Sequence, residues 1–85
     1  MDGDDCPQWK ITQIQSIVNG CDMIANNYRT ANCIKKKAKD ELGEYWNVII
    51  MKDELHDYNL WYVECYFKLR YYGKFKRYFA LVRTH

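Results

Sequence analysis

Ala38-Lys39-Asp40-Glu41-Leu42-Gly43-Glu44-Tyr45-Trp46-Asn47-Val48-Ile49-Ile50-Met51 holds the change of pattern that decides the fold. Up to Gly43, Ala31, Ile34, Ala38 and Leu42 recur at the period of one helical face, and Lys35, Lys36, Lys37, Lys39, Asp40 and Glu41 fill the rest. From Tyr45 to Met51 β-branched and aromatic residues dominate, which suits a pleated, half-buried strand. Gly43 stands at the break, where a helix end favours a residue that enters left-handed backbone without strain.

Upstream, Asn26-Asn27 is a turn signal, and before it Trp9, Ile14, Ile17, Val18, Cys21 and Ile24 form a second apolar stripe opposite Lys10, Gln13, Gln15 and Asp22. Pro7 just inside its start and Asp4-Asp5 just before it fit a helix N-terminus. Downstream, Lys52-Asp53-Glu54-Leu55-His56-Asp57 reads as a polar loop and Tyr58 to Tyr71 as one long or two shorter strands. Tyr72-Gly73-Lys74 then turns the chain into a last strand, Phe75 to Arg83. The expected fold is α+β: two N-terminal helices packed on an antiparallel β-sheet.

With 85 residues the chain has material for one core, so 1–85 is read as a single domain with residues 1–6 as a flexible acidic lead. A composition of 48% hydrophobic and 16% aromatic residues excludes a disordered chain. A domain this small buries only about 60% of its unfolded surface, which makes dimerisation a common remedy. The acidic start is unlike an export signal, and the longest apolar run, Tyr45 to Met51, falls far short of the ~20 residues a membrane helix needs. A soluble cytoplasmic protein without membrane contact is expected. Cys6, Cys21, Cys33 and Cys65 allow three pairings if oxidised, but without a signal sequence they are expected reduced, as buried small hydrophobes. With no C-x-x-C pair and two His, no metal or other cofactor is expected.

Ile34-Lys35-Lys36, nine residues and then Trp46-Asn47-Val48-Ile49-Ile50 follow without a gap the pattern Ile-Lys-Lys, nine residues, Trp-(His/Asn)-(Cys/Val)-Ile-Val-Gly. An aromatic strand ending in Gly73 and a closing Ala80-Leu81-Val82-Arg83 add to the match. In these residues the chain resembles the eight-kilodalton dynein light chains, well over the helix-helix-strand half and loosely beyond it. The resemblance implies a dynein-light-chain-like, strand-exchanged homodimer whose two grooves each receive an extended peptide segment of a partner, such as a dynein intermediate chain, as an added strand. It further implies a cytoplasmic, cytoskeleton-associated place in a microtubule motor complex.

The stretch Tyr58, Asn59, Leu60, Trp61 and Tyr62 follows the polar loop and occupies the family's groove-forming position, so it is the expected pairing strand, with Tyr28, Phe67 and Tyr71 as candidates for floor and wall. Tyr28 falls where the family has a lysine that receives the partner's glutamine. Met51 to Leu60 departs from the family's Gly-Arg-Asn-Phe-Gly-Ser-Tyr-Val-Thr-His, so a partner motif other than the family's Thr-Gln-Thr is expected. The family's first strand would precede Met1; the chain is expected to lack it and to leave one sheet edge open.

The C-terminal segment holds Lys68, Arg70, Lys74, Lys76, Arg77 and Arg83 without an acid, interleaved with Tyr66, Phe67, Tyr71, Tyr72, Phe75, Tyr78 and Phe79. Aromatics that stack on unpaired bases and cations that neutralise phosphates make a small nucleic-acid-binding domain the alternative reading. A net charge of only +2 and the lack of an RNP or OB signature favour one wet and one buried sheet face instead. Lys35 to Lys39 reads as a solvated helix face. His56 beside Asp57 has no nucleophile assigned to it, and Asp40, Glu41 and Glu44 have no partner acid. No enzyme and no catalytic residue is expected.

Overall fold

Helix α1 (Gln8–Cys21) and helix α2 (Asn27–Leu42) form where the two apolar stripes lie, in a computed structural model that describes residues 2–4, 6–52 and 66–84. The Asn26 side chain opens α2 by accepting from the Arg29 amide at 2.9 Å, satisfying one of the amides a helix start leaves without a partner. Gly43 closes it at φ 67°, its amide donating to the Lys39 carbonyl.

The stripe of α1 differs from the expected one at both ends, and Ile24 lies beyond the helix. Lys10, Ile14, Ile17, Val18 and Cys21 are buried, while Trp9 is 63% exposed. Steps of four and three lead from Lys10 through Ile14 and Ile17 to Cys21, so Lys10 holds the end of the buried face and Trp9 stands off it. Burial of Lys10 is compensated by Glu44, whose carboxylate lies 2.7 Å from the ammonium. Pro7 is the N-cap of α1 and lies outside it.

Among the described residues four antiparallel strands follow the order β1-β3-β4-β2, with β1 at Asp2–Asp4, β2 at Tyr45–Met51, β3 at Tyr66–Tyr72 and β4 at Arg77–Thr84. β2 has its expected bounds. The last strand starts at Arg77, two residues after Phe75, because residues 73–76 form the turn. Asp2–Asp4, expected in a flexible lead, pairs with β3 and occupies the sheet edge thought to be open.

Val48, Leu81 and Phe67 stand in register across three strands, as do Ile50, Phe79 and Leu69. With Trp46 this face meets Ile14, Ile17, Val18, Ile34 and Ala38 of the helices in one core. Between Leu69 and Tyr72 two residues of β3, Arg70 and Tyr71, oppose Tyr78 of β4, a bulge that puts Tyr71 at φ 49°.

The cysteines correct the expectation of free thiols. Cys21 at the end of α1 and Cys33 within α2 are joined in a disulfide with Cα atoms 5.8 Å apart, and Cys6 is disulfide-bonded as well. Cys21 does sit in the apolar stripe, 1% exposed, but as half of a covalent clamp between the helices.

Candidate functional site

β2 lies at the end of the strand order and pairs only with β4, so among the described residues its outer edge has no strand beside it. An antiparallel strand sends the amides and carbonyls of alternate residues to each side, so such an edge offers a ready-made row of hydrogen-bonding groups. Trp46 and Val48 anchor β2 in the core, and the Asn27 side-chain amide of α2 donates to the Ile50 carbonyl at 3.4 Å. Lys39 lies over the exposed Tyr45 ring, 4.6 Å from its centroid.

The sheet face turned away from the helices is also apolar at its centre. Ala80 and Val82 of β4 are buried there, flanked in register by Ile49 and Asn47 on one side and by Lys68 and Tyr66 on the other.

A buried ion pair fixes the opposite end of the sheet. Asp22 follows α1 as its C-cap, where a carboxylate opposes the helix dipole. Arg77 at the start of β4 shares the parity of Phe79 and Leu81, so it enters the protein rather than the solvent. Its Nη2 donates to Asp22 Oδ1 at 2.6 Å and to the Ile24 carbonyl, and its Nη1 to the Ala25 carbonyl, Asn27 Oδ1 and Thr30 Oγ1. The other carboxylate oxygen of Asp22 accepts from the Lys74 amide at 2.5 Å. Gly73 makes this approach possible. A Cβ there would lie 2.0 Å from Asp22 Oδ2, at a φ of 82° that L-residues adopt only with strain. Gly73→Ala is therefore expected to lose about 2 kcal/mol in a urea denaturation series; a midpoint equal to wild type would contradict this account of the turn.

The expected groove residues are only partly brought to the surface. Tyr28 is 75% exposed on the first turn of α2, and Tyr71 is 64% exposed on the β3 bulge. Phe67 is a correction. At 1% exposed it packs on Trp46 in the core, because it shares the helix-facing parity of Leu69, and it presents no surface to a partner. Tyr58, Asn59, Leu60, Trp61 and Tyr62 lie outside the described residues, as do His56 and His85.

The basic C-terminal face is partly neutralised. Arg77 is bound to Asp22, and Arg83 lies 3.3 Å from Glu44, an acid that also accepts from Lys10 and the Trp46 indole. Arg77, Phe67 and Phe79 thus face inward and Arg83 is ion-paired, which removes much of a base-stacking platform. Glu44, which sequence reasoning left without a role, is a structural hub. No described helix is long and apolar enough to cross a membrane. No family model, curated protein or solved structure matches the chain.

Proposed function

We propose that this chain is a non-catalytic, dimeric protein-binding module that takes up extended partner segments by strand addition, in the manner of dynein light chains. The outer edge of β2 carries the reading, because the sheet stops there with no described strand beside it. In the proposed dimer the Tyr58–Tyr62 segment of a second copy lies along this edge, and the partner segment pairs with that strand in turn. Main-chain pairing supplies affinity, and pockets for alternate side chains supply choice.

The resemblance contributes the mode of binding and not the compartment. A motor complex and its dynein intermediate chain belong to the reducing cytosol, where a structural disulfide such as Cys21–Cys33 is rare. The bonded cysteines favour an oxidising setting for both the module and its partners.

Sedimentation equilibrium is expected to give a dimer at tens of micromolar, whereas a clean 10.3 kDa species would overturn the exchange. Chemical-shift mapping with the best hit of a peptide library is expected to perturb Asn47 to Met51, Tyr58 to Tyr62 and Tyr28. Shifts confined to Lys35 to Lys39 would sink the strand-addition site. Steeply salt-dependent binding of single-stranded oligonucleotides, retained at physiological salt, would instead promote the nucleic-acid alternative.

A further inference from the structure

We propose that a recess between the α1–α2 connection and the β3–β4 turn binds a small aromatic phosphate monoester, a site independent of strand addition. The recess has a volume of about 450 Å³, in the range of small-molecule sites, and is lined by Asn27, Lys52, Tyr71, Phe75, Lys76 and Arg77 together with Ala25.

Its charge points to a dianion. Among the described residues Lys52, Lys76 and Arg77 line it and no acid does. Asp22 neutralises Arg77 from behind, so two positive charges remain, on exposed lysines that make no ion pair among the described residues. A phosphate monoester carries about −1.5 to −2 at pH 7 and matches that balance better than a carboxylate.

Arg77 supplies a buried donor. The residue is 2% exposed, both of its terminal nitrogens are engaged, and its Nε has no hydrogen-bond partner. A buried polar atom without a partner is uncommon enough to call for a reason. The walls supply flat apolar surface. The Phe75 ring lies 4.9 Å from the Arg77 guanidinium, and Tyr71 projects from the bulge.

The backbone is also under strain at this place. Tyr71 at φ 49° and Lys76 at φ 51° are the two non-glycine residues with positive φ among those described, and both line the recess. Each such conformation costs about 1–3 kcal/mol and tends to be kept where a ligand is held. One comes from the bulge and the other from the turn, so two separate irregularities converge on one cavity.

The probe is phenyl phosphate titrated into the isotope-labelled protein. Saturation at or below about 1 mM is expected, with shifts at Tyr71, Phe75 and Lys76. Inorganic phosphate, lacking the ring, is expected to bind at least about tenfold more weakly. Lys52→Gln with Lys76→Gln should weaken phenyl phosphate about tenfold or more, and because both side chains are exposed the rest of the spectrum should stay unchanged. Absence of saturation by about 10 mM, equal affinity for inorganic phosphate, or undiminished binding by the double variant would each overturn the proposal.

Discussion

Replacing Asp22 with alanine is expected to destabilise the protein by about 3–5 kcal/mol, because it leaves the Arg77 guanidinium buried without a counter-charge. The side chains of Arg77 and Asp22 are only 2% and 6% exposed, so water cannot take over the role of the lost carboxylate. The four other acceptors of Arg77 are neutral and satisfy its hydrogen bonds without balancing its charge. For 85 residues the whole folding stability is roughly 4–13 kcal/mol, so this one change removes a large share of it. Urea denaturation followed by tryptophan fluorescence measures the loss. A drop below about 1 kcal/mol would mean that the pair is solvated. Asp22→Leu combined with Arg77→Met separates loss of charge balance from loss of packing, since an apolar replacement of the whole pair is often near neutral. The combined variant should recover most of what Asp22→Ala loses.

The parts of the fold legible in the sequence are those decided locally. Asn26 and Gly43 bound α2 through their own side-chain and backbone chemistry, and Tyr45–Met51 declares itself by β-branched and aromatic content. Where tertiary partners decide, reading failed. Asp2-Gly3-Asp4 is poor in strand formers and becomes β1 only because β3 offers it an edge. The charge of Lys10 points to the wet face, yet its spacing to Ile14 places it on the buried stripe.

Arg77 shows a signal that was present and missed. It alternates with Phe79 and Leu81, and an arginine at core parity calls for an acid, which Asp22 at a helix C-terminus supplies. The same alternation applied to Phe67 and Leu69 would have withdrawn Phe67 from the groove. Tyr71 was placed at a site for its ring; what sets its environment is a bulge and a left-handed backbone that no single-residue propensity encodes. The candidate edge of β2 was not legible, because strand order follows from which elements pair across the chain and not from the pattern within any one of them.

Cys21→Ala with Cys33→Ala is expected to lower stability by about 3 kcal/mol, the loop-closure entropy that a cross-link over a separation of 12 residues removes from the unfolded chain. Each thiol alone reads as a small hydrophobe in a helix, so sequence pattern does not distinguish a packed cysteine from a bonded one. The structure does, because the two Cα atoms stand at a separation typical of disulfides. Alkylation of the unreduced protein in strong denaturant tests the bond independently of stability: Cys21 and Cys33 should stay unlabelled until a reductant is added. Labelling of both before reduction would remove the clamp and with it the argument for an oxidising setting. Protection in that assay, together with a urea midpoint that falls in the double variant, would instead favour partners outside the reducing cytosol. Extended segments of proteins from oxidising compartments would then be the ligands to screen against the β2 edge.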